Sequence, residues 1–257
     1  MTRTRFHQGL DDLKQKLLAM GGMAERAVER AVQSFQTRDL SICEVVLRDE
    51  AGINALEREV DELSVDLLAM QQPMAVDLRF IIACIKINSD LERVGDQAVN
   101  IAERVMDMVS HPRAELNIDL PRMASLSINM VRDALNAFLT ADAELARSVL
   151  ERDDLVDNMN REIFEAADFA MTHRVDTHRD ALDTLIIARN LERVADHATN
   201  IAEDVIFWVR GADVRHHAFH LSIEAATSSL QDTARLSSIF SYAFCPMARV
   251  VRPAINR

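Results

Sequence analysis

The stretch LERVGDQAVNIAERV, from Leu91 to Val105, returns 100 residues later as LERVADHATNIAEDV, from Leu191 to Val205, and the two agree at 11 of 15 positions. A second pair lies upstream, where VLRDEAGINALEREV, from Val46 to Val60, aligns with VLERDDLVDNMNREI, from Val149 to Ile163, at an offset of 103 residues. Self-similarity at a fixed distance is typical of a repeated structural unit. The pattern indicates a tandem duplication, and the small change in offset indicates a longer connection in one half.

The apolar residues of each half recur every three or four positions, which is the period of a helix packed along the seam of a bundle. The chain contains only 6 Gly and 5 Pro, which are few turn-forming residues for a sheet of many strands. The pattern predicts six long helices, with Asp77 as the N-cap of the third. Their ranges are Phe6–Phe35, Ile42–Met70, Leu78–Val109, Arg122–Thr140, Asp142–Thr172 and Thr177–Arg210. The predicted fold is all-α, with two tandem three-helix bundles related by the duplication.

The duplication divides the chain into three segments. We predict the first three-helix repeat over residues 1–110 and the second over residues 119–216, with a linker containing helix breakers around Ser110 to Pro121. Residues 217–257 have no counterpart in the first half and shift in character to Ser, Ala and His. We treat this tail as a separate segment, either disordered or a short docking element.

Charge, hydropathy and cysteine content disfavour several classes of protein. The formal net charge of -12 disfavours proteins that hold nucleic acid or anionic lipid through a general electrostatic field. The longest apolar run, Phe80 to Ile85, is far below the roughly 20 residues that span a bilayer, so we expect no direct membrane insertion. The three cysteines are widely separated and lack CxxC spacing, and Cys43 and Cys84 fall in apolar helical stripes. A cytoplasmic protein fits these features best.

Acidic residues form a second stripe along the repeated helix. Glu92 and Asp96 are one turn apart, and the second copy repeats them as Glu192 and Asp196. Like charges at this spacing destabilise a helix by about 0.2–0.5 kcal/mol unless a cation lies between them. A solvated helix face is the common explanation for one such pair, but the repetition at the same phase raises the weight of a cation site.

Another helix of each unit offers a matching pair. In the second half it is Asp153 and Asp157, while the aligned residues of the first half are Glu50 and Asn54. Carboxylates from two neighbouring helices suit hard or borderline cations such as magnesium, manganese, iron or zinc. The candidate metal ligands are Glu50, Glu92, Asp96, Asp153, Asp157, Glu192 and Asp196.

Catalytic signatures are missing from the sequence. It contains no glycine-rich phosphate loop, no GxSxG, no HExxH and no ferritin-style ExxH pair. His197 follows Asp196 and offers a nitrogen ligand, but its counterpart in the first copy is Gln97, and a lone helical histidine is more often a surface or capped residue. We therefore expect a protein that is not an enzyme.

With these features the chain closely resembles the PhoU family over about Arg3 to His216. The most telling stretches, besides the two LERV copies, are FHQGLDDLKQKLLAMGGMAERAV, QQPMAVDLRFI and VRGADVRH. The resemblance implies two three-helix bundles side by side, often as a homodimer, and multinuclear metal clusters held by E(D)xxxD motifs. Carried over here, those motifs are Glu92 and Asp96, Glu192 and Asp196, and Asp153 and Asp157. Asn54 departs from the motif opposite Glu50.

The resemblance also implies a function. When phosphate is abundant, such a protein would bridge the phosphate ABC transporter, at its ATPase subunit, and the phosphate-sensing histidine kinase. It would thereby act as a negative regulator of phosphate uptake and of the phosphate regulon. Two alternatives remain open, namely a metal-storage or metal-oxidising helical bundle and a purely structural adaptor whose acids are solvated.

Overall fold

The computed structural model describes residues 2–70, 73–113, 116–173 and 177–211, and within these ranges the regular structure is helical, without a strand. The helices of these ranges are α1 (Thr2–Thr37), α2 (Leu40–Met70), α3 (Ala75–Met108), α4 (Leu120–Thr140), α5 (Ala143–Leu150), α6 (Asp153–His173) and α7 (His178–Arg210). None of them is long and apolar enough to cross a membrane. The prediction of an all-α fold is confirmed, and the predicted tail lies outside the described residues.

The helices pack as two bundles that correspond to the two halves of the duplication. In the first bundle α1, α2 and α3 each contact the other two, and in the second α7 contacts α4, α5 and α6. The bundles meet chiefly along α3 and α7, with a smaller contact between α1 and α4. The predicted pair of tandem bundles is therefore present, and the two LERV-containing helices lie at its centre.

The predicted fifth helix is divided by a turn at Glu151 and Arg152, which separates α5 from α6. Asp142 caps α5, because its Oδ1 accepts hydrogen bonds from two backbone amides of the first turn, at 2.9 and 3.0 Å. Asp153 opens α6 with Asp154 beside it, where negative charge is favoured by the helix dipole. The acids therefore favour a new helix start, and the carboxylate pair of this half lies in its first two turns.

The predicted N-cap of the third helix was wrong. Met74 is the N-cap residue of α3, and Asp77 lies inside the first turn. Met74 has the extended conformation that is usual for an N-cap residue, with φ -65° and ψ 158°. Asp77 still stabilises the helix start, because an acid in the first turn interacts favourably with the helix dipole.

Helices α3 and α7 run antiparallel, as their cross-contacts show. Lys86 Nζ lies 3.2 Å from Asp204 Oδ1, and further along α3 Asp90 Oδ1 lies 2.9 Å from His197 Nδ1. Residue numbers therefore fall along α7 as they rise along α3, which is the relation of a local twofold axis between the halves.

Large aromatic side chains join the helices around the core. Phe80 of α3 stacks on Phe138 of α4, with ring centroids 5.6 Å apart, and the edge of Trp208 of α7 meets Phe80 at 5.1 Å. Cys43 and Cys84 are free thiols buried in the interior, and burial raises the pKa of Cys84 well above its ordinary value. Their interpretation as small core residues is confirmed.

Candidate functional site

Four carboxylates of the second half act on one another across the contact between α6 and α7. Asp153 and Asp157 lie one turn apart on α6, and Glu192 and Asp196 lie one turn apart on α7. The negative charges of Asp157 and Asp196 both raise the pKa of Asp153, so the two helices bring their acidic stripes together. The structure thus groups four of the predicted ligands.

Burial makes the charged state of this cluster unfavourable. It is the main cause that raises the pKa of Asp153 to about 6, and the charges of Asp157, Asp196 and Asp154 add to it. The pKa of Glu192 is raised in the same way, first by burial and then by the charge of Asp196. Desolvation also raises the pKa of Asp196. A positive charge among these groups would remove much of this cost.

Glu192 has an unsatisfied oxygen at the cluster. Its Oε1 accepts a hydrogen bond from Arg189 Nη1 at 2.5 Å, whereas its Oε2 is buried and has no hydrogen-bond partner among the described residues. The residue as a whole is 7% exposed. Because a buried acceptor without a partner costs about 1–3 kcal/mol, more if charged, this oxygen has a strong tendency to take a donor or a cation.

The first half contains a related cluster with a different membership. Burial is the main cause that raises the pKa of Glu92, followed by the negative charges of Asp96 and Glu57. Glu92 and Asp96 also share a hydrogen bond, which favours the protonated form of Glu92. The Oδ1 of Asn54, on the same helix as Glu57, is buried and has no partner among the described residues. Two acids, Asp96 and Glu57, therefore accompany Glu92 here.

Sequence reasoning missed Glu57. The alignment of the halves placed Glu50 and Asn54 opposite the second-half pair and matched Glu57 with Asn160, which is not an acid. A helical wheel would have found it, because Glu57 follows Glu50 by two turns on the same face of α2. Glu50 is half-buried on that face, and its role as a ligand stays a prediction.

The clusters fit a cation by their chemistry without being closed around one. Among the described residues, no three His, Cys, Asp or Glu side chains converge tightly enough to form a ready metal site. The donor atoms are nevertheless all oxygens, which suit magnesium or manganese and also serve iron and zinc. Arg189 pairs with Glu192 Oε1, but the partnerless Oε2 of Glu192 and the raised pKa of Asp153 indicate that a further positive charge would be favourable here.

His197 has a structural partner. Its Nδ1 lies 2.9 Å from Asp90 Oδ1, which also accepts a hydrogen bond from Asn200 Nδ2 at 3.2 Å. These three side chains join α3 to α7, with Asp90 buried, His197 half-buried and Asn200 exposed at the edge of the contact. The histidine therefore contributes to the contact between the halves.

Comparisons with known proteins agree with this architecture. The PhoU domain family matches the sequence twice, over residues 17–105 and 120–205. A Pseudomonas putida protein named as a phosphate-specific transport system accessory protein PhoU homolog is 38% identical over 234 residues, which cover 90% of this chain and 89% of the relative. The crystal structure of PhoU from Pseudomonas aeruginosa superposes with a TM-score of 0.75 at 38% identity, covering 80% of this chain and 100% of the other. That of the phosphate transport system regulatory protein PhoU from Streptococcus pneumoniae gives 0.72 at 27% identity, with 81% and 99% covered. The chain belongs to the PhoU family.

Proposed function

We propose that this protein is an accessory protein of phosphate transport that acts by binding and restrains uptake when phosphate is abundant. Its partners are the ATPase subunit of a phosphate ABC transporter and a phosphate-sensing histidine kinase, reached from the cytoplasm as a homodimer. The relatives named as phosphate-specific transport system accessory proteins support this function. The match of the family over both halves is the observation that carries it.

The acidic clusters give the protein a means of binding metal ions. In the second half Asp153, Asp157, Glu192 and Asp196 would hold a cation, and Glu192 Oε2 would gain the partner that it lacks. In the first half we expect Glu92 and Asp96 to serve with acids of α2, namely Glu50 as the duplication predicts and Glu57 as its electrostatic action on Glu92 suggests. A bound divalent or transition metal ion supplies positive charge and open coordination positions.

Charge explains how occupancy can control docking. The protein has a net charge of -12, so its metal-free acidic faces favour basic surfaces and repel anions. Occupied clusters would reverse the charge locally and present a cationic surface to phosphate or to a partner carboxylate. Metal occupancy would therefore change which partner surface the same helix face can accept.

Metal binding is tested by elemental mass spectrometry of the purified full chain before and after chelation. The variant Glu192→Gln/Asp196→Asn should lower the metal content while the helical circular dichroism stays unchanged. The matched control Glu162→Gln/Glu165→Gln also removes two charges, from exposed positions of α6, and should keep the metal. An equal number of bound metal ions in both variants would indicate a structural adaptor with solvated acids. Ferroxidase turnover would favour the metal-storage or metal-oxidising alternative.

Regulation is tested in cells that lack their own copy of the protein and carry a reporter driven by a phosphate-regulon promoter. We expect the wild-type chain to silence the reporter in phosphate-rich medium and the metal-site variant to leave it partly active. Normal silencing by the metal-site variant would separate regulation from metal. No silencing by the wild-type chain, expressed at normal level, would contradict the regulatory function itself.

A further inference from the structure

A groove of about 680 Å³ lies between α4 and α6, on the outer side of the second bundle. Leu126, Leu155 and Met159 contribute apolar surface to it, and Asp119 and Glu162 lie among its polar lining residues. Leu155 is 53% exposed, so much of its apolar surface is open to a partner. Apolar surface of this kind, rimmed by polar groups, is typical of a binding surface.

The corresponding seam of the first bundle is closed. Helices α1 and α4 correspond at an offset of 103 residues, since each is followed by a residue in the left-handed conformation, Arg38 at φ 57° and Ala141 at φ 54°. In the first bundle Gly52 of α2 lies against Met23 of α1, and a Cβ on that glycine would be 2.5 Å from Met23 Cε. The Met23 side chain therefore packs directly on Gly52, and a larger residue at this position would displace it.

The second bundle replaces small residues of this seam with large ones. Leu155 occupies the position of Gly52, and Asn158 that of Ala55. Across the seam, Arg122 stands where α1 has an alanine, Ala19. These larger side chains occupy the seam where the first bundle has small ones. In addition, α4 begins at the position of Leu17 and lacks the first turns of α1, so it contacts α5 and α6 together less than α1 contacts α2. The sequence of the second half therefore favours an open groove at this seam.

The charges of the seam diverge in the same way. In the first bundle Lys16 Nζ bridges to Glu59 Oε2 at 2.5 Å. At the equivalent positions the second bundle has Asp119 and Glu162, two acids. Glu162 forms no ion pair within the part of the chain that the structure describes. With Arg122 counted, the three charged residues of the groove sum to -1, and the acid Asp119 stands where the first bundle has the cation Lys16.

We propose that this groove is a docking site for a basic amphipathic helix of a partner protein. An apolar side chain of that helix would cover Leu155 and Leu126, and a Lys or Arg of the partner would pair with Glu162, as Lys16 pairs with Glu59 in the first bundle. A helix suits the groove because its walls are two helices, whose ridges accept a third helix along the seam. The docking site is separate from the carboxylate cluster, since Glu162 lies roughly 140–180° around α6 from Asp157 and Asp153.

The site is tested with two fluorescein-labelled peptides of about 18 residues, or five helical turns. Both are alanine-based helices with a leucine stripe, and they differ only in a central Lys or Glu beside that stripe. Fluorescence anisotropy with the full chain should detect binding of the Lys peptide. Glu162→Lys should weaken that binding roughly tenfold and allow the Glu peptide to bind instead. Asn158→Trp, which fills the groove without changing charge, should weaken both interactions.

The matched control is Asp168→Lys, which makes the same charge change at an exposed position of α6 outside the groove. We expect it to change the affinity less than about twofold, since exposed charges at a distance are screened by salt. Equal losses from Glu162→Lys and Asp168→Lys, or no binding of the Lys peptide, would overturn the proposal. A change in sedimentation of the Glu162→Lys variant alone would instead make the groove a contact between copies of this chain. Because Glu162→Lys should keep its metal content, failure here is distinguishable from failure of the proposed function.

Discussion

Replacing Asp153 with asparagine should stabilise the metal-free protein at neutral pH. The folded protein raises the pKa of this group from its ordinary 3.8 to about 6, because burial and neighbouring acids oppose its negative charge. A difference of this size between the folded and unfolded states is worth roughly 3 kcal/mol. Water still reaches the half-buried side chain, so we discount the figure to about 1–2 kcal/mol. The neutral amide of Asp153→Asn avoids this cost.

The sign of the effect depends on pH. Between the unfolded pKa near 3.8 and the folded pKa of about 6, the folded state of the wild-type protein holds the proton more tightly than the unfolded state. The stability that Asp153 contributes is therefore fully present below pH 3.8 and is lost as the pH rises through 6. The advantage of the variant should be largest above pH 6 and should shrink toward pH 4.

The assay is urea denaturation in the presence of a chelator, followed by the fluorescence of the single tryptophan. At pH 7.5 we expect the free energy of unfolding of Asp153→Asn to exceed that of the wild type by about 1–2 kcal/mol. Adding the metal should reverse the order, because a ligand that binds only the folded state stabilises the wild type more than a variant with a weakened site. A variant that is no more stable at pH 7.5, or equally favoured at pH 4, would refute the electrostatic account of the cluster.

Three further changes test the packing. Gly52→Leu should destabilise the protein by about 1–3 kcal/mol in urea denaturation, because its side chain would collide with Met23; an unchanged midpoint would mean that the first seam opens as the second does. Phe138→Ala should cost about 3–5 kcal/mol in the same assay, since Phe138 is fully buried. Arg38→Ala should cost about 2–4 kcal/mol, because the guanidinium lies 2.5 Å from the buried Asp180, and a loss near zero would make this ion pair structurally neutral.

The long helices were readable from the sequence because each one buries an apolar stripe with a regular period. That period fixed the helices and the duplication fixed their grouping, so the bundle architecture followed without any tertiary information. The break between α5 and α6 was not readable in this way, since the apolar period continues across Glu151 and Arg152. Only the acids that open α6 indicated it, and these were already interpreted as ligands.

Duplication indicates some of the acids of the two clusters but not all of them. It indicates α3 and α7, where the same acids recur at the same phase and where the pKa values of Glu92 and Glu192 are raised, chiefly by burial. It does not indicate Glu57 on α2, because the aligned residue of the second half, Asn160, is not an acid. The proximity of Glu57 to Glu92 depends on how α2 and α3 pack against each other. A sequence alignment contains no information about that packing.

The two bundles diverge most where their helices are least constrained. Helices α3 and α7 contact every neighbour and each other, so their apolar and acidic positions must satisfy several partners at once, and their sequences agree closely. The seam between the first two helices of each bundle faces outward, and its side chains pack mainly against each other. The second bundle has Leu155 where the first has Gly52, and Asp119 where the first has Lys16. These differences affect only one local contact. Divergence at such a seam converts an internal helix contact into an external one, which is how a duplicated bundle can acquire a partner site without disturbing its core.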